Sequence, residues 1–152
     1  MTHRVLVFRA GRRLCGLDVA HVVETMRPLP IETLPHVPPF VRGVSIVRGA
    51  LTPIVDLRAL LGGDDEPSEP ARLVTLRVED ARRVGLLVDE VLGIARGREL
   101  RSEAQPPLLR DASEQFISEL TRLDDRLVTV LAAARVVPAE VWEQVSLAKA
   151  SR

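Results

Sequence analysis

Residues 40–62 read FVRGVSIVRGALTPIVDLRALLG, an apolar run interrupted twice by Val-Arg-Gly, and few local structures accommodate it. A phosphate loop needs Gly-x4-Gly-Lys-Ser/Thr, and a dinucleotide fingerprint needs Gly-x-Gly-x-x-Gly opening a helix. Here Val-Ser-Ile-Val-Arg separates Gly43 from Gly49, with Ala50 and Leu51 following, so the nucleotide reading fails. A hairpin fits. With Arg48-Gly49 as a two-residue loop, Val47 faces Ala50, Ile46 faces Leu51, Ser45 faces Thr52 and Val44 faces Pro53. One face then collects Val44, Ile46, Leu51 and Pro53. The other collects Ser45, Val47, Ala50 and Thr52, with Ser45 and Thr52 as a cross-strand polar pair. A three-residue loop with Gly49 left-handed would instead shift the pairing by one. In the two-residue register Pro53 falls at a non-hydrogen-bonded pair, and its missing N–H asks for an edge or a strand end on its other side. Gly43 lies where the strand begins, and Arg42 reads as a solvated charge. Beyond the hairpin, Asp56 is placed to start a short helix over LRALLG, closed by Gly62 or Gly63.

The same grammar runs along the chain: short Val, Ile and Leu runs set apart by Gly, Pro and charged turns, as in all-β domains. VLVFRAGRRLCGLDV predicts two strands around Ala10-Gly11-Arg12-Arg13, and a third strand near 21–27 ends at Pro28 before a loop through Pro35, Pro38 and Pro39. Strands follow near 72–79 and 83–89, joined by Glu79-Asp80-Ala81-Arg82, and another near 91–97. GGDDEPSEP at 62–70 and SEAQPPLLRD at 102–111 read as loops, and RLVTVLA as a strand after the Asp124-Asp125 turn. From Pro138, suited to a first helical turn, a C-terminal helix over about 138–150 places Val141, Val145 and Ala148 on one face.

The 152 residues suit one domain with a real core. Twenty-one basic residues balance twenty-one acidic ones, and three Phe, one Trp and no Tyr offer no stacking platform, which argues against nucleic acid. No apolar stretch suggests a signal peptide or membrane insertion, so a cytoplasmic location is expected. The lone Cys15 reads as a small buried hydrophobe. No catalytic constellation emerges. Asp89 and Glu90 are adjacent and would point to opposite faces of a strand. His3, His21 and His36 lack metal-site spacing, and none of the serines sits in Gly-x-Ser-x-Gly. No metal or cofactor is expected, although a small ligand-binding barrel or enzyme stays open as a weaker reading.

Val22 and Glu24, Pro35 and Pro38, FVRGV at 40–44, Arg48-Gly49, PIVDLRALLG at 53–62 and VGLLVDEVLG at 84–93 together resemble the CheW family of chemotaxis coupling proteins. The resemblance covers nearly the whole chain. It implies one CheW-like domain over 1–152, made of two intertwined five-stranded, SH3-like β-barrels with a hydrophobic layer between them. It also implies a non-enzymatic adaptor that binds the cytoplasmic tips of methyl-accepting chemoreceptors and the regulatory domain of the histidine kinase CheA. Carried over to this chain, the receptor-binding positions are Val22, Glu24, Val44, Arg48 and Val88, with Gly43, Gly49, Pro53 and Asp56 shaping the turn. Glu24 and Arg48, on neighbouring strands, could pair and brace the groove, and Val22, Val44 and Val88 suit either its apolar lining or the buried core. Ile46-Val47 stands where many members carry Asn-Leu, and an expected glycine near Glu119 and aspartate near Ala132 are absent. The last two departures, in the C-terminal half, define an alternative, an accessory protein that binds receptor but not kinase.

Overall fold

The computed structural model describes residues 4–62, 71–96, 100–104 and 116–151. Its strands are β1 (Arg4–Ala10), β2 (Arg13–Asp18), β3 (Val22–Met26), β4 (Val41–Val47), β5 (Ala50–Asp56), β6 (Arg72–Arg77), β7 (Arg83–Val88), β8 (Glu90–Arg96), β9 (Leu100–Ala104), β10 (Ile117–Leu123) and β11 (Arg126–Leu131). Two helices join them, α1 (Leu57–Leu60) and α2 (Ala139–Ala150). One sheet has the order β8-β1-β2-β11-β10-β9 and the other β3-β6-β7-β5-β4. The chain therefore starts one sheet, builds all of the second with β3 to β7, and returns to finish the first. This is the intertwined all-β arrangement the sequence led us to expect.

Two strands escaped the sequence reading. β10 was not foreseen, and β9 ends on residues 102–104, which were assigned to the 102–111 loop, giving the first sheet six strands rather than five. The expected loop over 62–70 lies, from residue 63 on, outside the described residues, as does the second loop from residue 105.

Both sheets hide apolar side chains on two faces, which is why β1 and β7 read as continuous runs rather than as alternating ones. Along β1, Val5 and Val7 join Leu14, Val128 and Val130 inside the first sheet, while Leu6, Phe8 and Ala10 enter a layer shared with the second. On β7, Val84, Leu86 and Val88 enter that shared layer, and Leu87 packs inside with Ile54 and Leu73. Cys15 lies in the shared layer, and burial pushes its thiol up to about 12, leaving it protonated and inert.

The crossing between the sheets is tied down at Asp89. Its N–H donates to the Arg9 carbonyl (2.9 Å), and its carboxylate accepts the Gly11 N–H at the β1–β2 turn. Arg9 lies 3.9 Å from that carboxylate and 3.5 Å from Glu90. Asp89 and Glu90 thus serve geometry at the joint.

Candidate functional site

The β4–β5 hairpin has the predicted two-residue register, with Val47 opposite Ala50, Ile46 opposite Leu51, Ser45 opposite Thr52 and Val44 opposite Pro53. Arg48 and Gly49 both take left-handed conformations (φ +50° and +80°), the type I′ geometry whose twist matches the strands it joins. Val44 exchanges both backbone hydrogen bonds with Glu32 of the proline loop (2.7 and 2.8 Å), so its polar groups point away from Pro53. Pro53 in turn precedes Ile54, where parallel pairing with β7 begins. The missing N–H therefore falls at a strand end on that side.

The polar pair across the hairpin takes a different form from the one expected. Ser45 and Thr52 face each other, but Ser45 donates to the Pro30 carbonyl (2.7 Å) and Thr52 to the Ala50 carbonyl (3.0 Å). Both hydroxyls are buried, and a backbone carbonyl within reach satisfies each one. Arg42 is not simply solvated, because its Nη1 lies 3.3 Å from Asp56 Oδ2. Asp56 also caps α1 through the Ala59 N–H (3.3 Å), and Gly62 beyond the helix is left-handed (φ +69°).

Gly43 is fixed by close approach. Its φ is +142°, and a Cβ there would collide with the Glu32 carbonyl of the loop laid along β4. The register shift between Val41 and Gly43 marks a bulge at this point, a device that redirects a strand.

Glu24 and Arg48 meet through two hydrogen bonds, Arg48 Nη2 to Oε1 (2.7 Å) and Nε to Oε2 (3.1 Å). They do not come from neighbouring strands, as the sequence reading supposed. β3 and β4 are the opposite ends of the second sheet, so the pair joins two edges that curling brings together. A bulge between Val22 and Glu24 turns this part of β3, and Thr75 donates to the Glu24 carbonyl there (3.3 Å). The hydrogen bonds from Arg48 hold the Glu24 carboxyl below its ordinary value, against the opposing effect of burial, with the charges of Arg48 and then Arg83 adding a lesser attraction. The same hydrogen bonds raise Arg48. The Arg48 side chain is 69% exposed, so the pair forms a charged bracket at the hairpin tip with guanidinium surface left for a partner.

The other residues expected at the site lie deeper. Val44 and Val88 are 3% and 1% exposed and belong to the shared core. They form the interior behind the bracket and not the wall of an open groove, because the Glu32 loop covers β4 and β7 is a central strand. Val22 is half-buried at the edge of the same core. Ile46 is exposed on the hairpin beside Arg48. Among the described residues no three His, Cys, Asp or Glu gather where they could hold a metal ion, and no helix is long and apolar enough to cross a membrane.

Sequence reasoning missed the surface beside the second strand of the hairpin. A cleft of about 230 Å³ opens there between the turn before β7 and α2, lined among others by Leu51, Asp80, Arg82, Arg83, Trp142 and Lys149. The only signal was the single Trp in a helix with no evident aromatic partner.

Comparison with known families matches residues 4–141 to the CheW-like domain. A probable chemotaxis protein CheW of Rhizobium etli is 31% identical over 129 residues, covering 84% of this chain and 82% of the relative. Chemotaxis protein CheW of Rhizobium meliloti is 28% identical over 139 residues, 91% of this chain and 90% of the relative. Among solved structures, the scaffolding protein TtCheW of Thermoanaerobacter tengcongensis superimposes with a TM-score of 0.75 over 90% of this chain and 92% of its own, at 24% identity. That likeness speaks for the fold, and the family match speaks for descent. The chain belongs to the CheW family of chemotaxis coupling proteins and is a scaffold of chemosensory signalling.

Proposed function

We propose that this protein acts in the cytoplasm, without catalysing a reaction, by holding the tip of a methyl-accepting chemoreceptor against the regulatory domain of a CheA-type histidine kinase. The observation that carries the receptor half is the Glu24–Arg48 bracket, a bidentate pair at an exposed hairpin tip. A pair in water adds little stability; a pre-oriented guanidinium beside exposed Ile46 offers a partner both charge and apolar area. Val22 adds to this surface at the β3 edge, and Val44 and Val88 support it from beneath.

The kinase half has support on the first sheet. β8 is an edge strand carrying exposed Leu92 and Ile94 (46% and 57%), and an unprotected apolar edge invites pairing with another β-domain. The receptor-only alternative is not favoured. The match to coupling proteins runs through both sheets, and both departures sit within ordered structure: Glu119 pairs in β10, and the Ala132 N–H donates to Phe116 (2.6 Å). The test is co-purification of the full chain with a receptor signalling tip and, separately, with the kinase regulatory domain. Capture of both is expected, and capture of neither would refute the adaptor reading.

A further inference from the structure

The cleft beside α2 has the chemistry of an anion site placed against the bracket. Arg82, Arg83 and Lys149 line it with one carboxylate, Asp80. Among the described residues none of the three cations makes a salt bridge, whereas Arg9, Arg42 and Arg48 all do. Three cations with one carboxylate around a concavity leave a net positive potential there. The Arg82 charge centre lies 4.9 Å from the centroid of the Trp142 ring. That cation–π contact helps hold the guanidinium over the cleft without requiring its N–H donors.

The cleft is too small for a cofactor or drug-sized ligand, which fill roughly 300–1,000 Å³; its 230 Å³ suits a single side chain. It is also continuous with the bracket. Ala50 and Leu51, which line it, follow the Arg48-Gly49 turn in the same hairpin, and Arg83 is close enough to act on the Glu24 carboxylate. Trp142 and Lys149 lie just beyond residue 141, where the match to the CheW-like domain ends.

We propose that this cleft receives a carboxylate side chain from the receptor tip, held by Arg82, Arg83 and Lys149 against the Trp142 ring, extending receptor contact from the hairpin onto α2. This rests on the receptor reading above. The lining cations select an acidic group, the small volume limits it to the size of a side chain, and the continuity with Arg48 selects the partner that touches the bracket.

The single Trp of the chain makes the test direct. A purified receptor-tip fragment is titrated into the full-length chain while Trp142 fluorescence is followed and calorimetry gives the affinity independently. The wild type should bind with a change in Trp142 emission. Lys149→Glu, on the exposed last turn of α2, and Arg82→Glu should each weaken binding about 10-fold at low salt, the loss shrinking as salt is raised. Both variants should melt like the wild type. Wild-type binding left unchanged by either variant would overturn the cleft proposal and leave the receptor reading standing. No binding by the wild type would overturn both. If millimolar inorganic phosphate alone reproduced the Trp142 change, and Lys149→Glu abolished it, the cleft would be a small-anion site and the proposal would fall.

Discussion

In each sheet a parallel pair lies inside the strand order, β2 beside β11 in the first and β5 beside β7 in the second. In each, one strand of that pair places a glycine toward the sheet's own interior. A Cβ on Gly16 would meet Val5 and Val128, and one on Gly85 would meet Ile54 and Leu73. Read outward from these pairs, β8-β1-β2-β11-β10 and β3-β6-β7-β5-β4 follow the same order. Their edges are finished differently. The second sheet covers β4 with the proline loop and ties β3 to the hairpin through Glu24 and Arg48. The first leaves Leu92 and Ile94 exposed on β8 and adds β9 beyond β10. Two sheets built alike inside and differently outside can share one core and still present two different outer surfaces.

The largest test of this contrast compares two glycines of nearly equal φ on outer strands, Gly43 (φ +142°) and Gly93 (φ +137°). At Gly43 a Cβ collides with the covering loop, while at Gly93 nothing lies within reach. Gly43→Ala should cost about 3 kcal/mol or more in urea unfolding, combining backbone strain with a clash against main chain. Gly93→Ala should cost only the strain, about 1–2 kcal/mol. Equal losses would mean that the loop does not cover β4 as described.

Between those extremes, Gly16→Ala and Gly85→Ala test the shared interior. Each inserts a methyl against side chains that must shift, at about 1–3 kcal/mol, and the two costs should agree to within about 1 kcal/mol if the interiors are truly alike.

The smallest effect is electrostatic. Because the folded Glu24 carboxyl sits below its ordinary 4.5, its contribution is complete above that value and is lost as pH falls through the folded pKa. The thermal midpoints of wild type and Glu24→Gln should therefore differ slightly at neutral pH and converge as the pH falls below 4.5 and through the folded pKa. A gap that widened on acidification would contradict the pairing.

Local chemistry was easiest to read in the sequence. The register of β4 and β5 followed from Gly49 and the alternation around it, and the cap at Asp56 from its place before LRALLG. What failed depended on which strand lies beside which. β9, with the sequence LRSEA, borders one neighbour only, so no apolar alternation marks it. β10 mixes half-buried Glu119 with buried Thr121, and its pattern blurs. Glu24 and Arg48 were recognisable as a pair through family resemblance, but sequence alone could not show that they bridge the two ends of one sheet. Val44 and Val88 looked equally suited to groove or core, and only the loop over β4 and the central place of β7 decide for the core. The cleft at Trp142 arises from residues some sixty positions apart, Asp80 to Arg83 and Trp142 to Lys149, which no local pattern connects.

The central claim is that the bracket exists for a partner and contributes little to the fold. Its most direct test is the affinity of a receptor signalling tip for Arg48→Ala against wild type, with both melts recorded. Binding should weaken about tenfold or more while the thermal midpoint moves by about 2 °C or less. Unchanged affinity, or weakened binding accompanied by a large drop in melting temperature, would show that Arg48 serves the fold and not the partner.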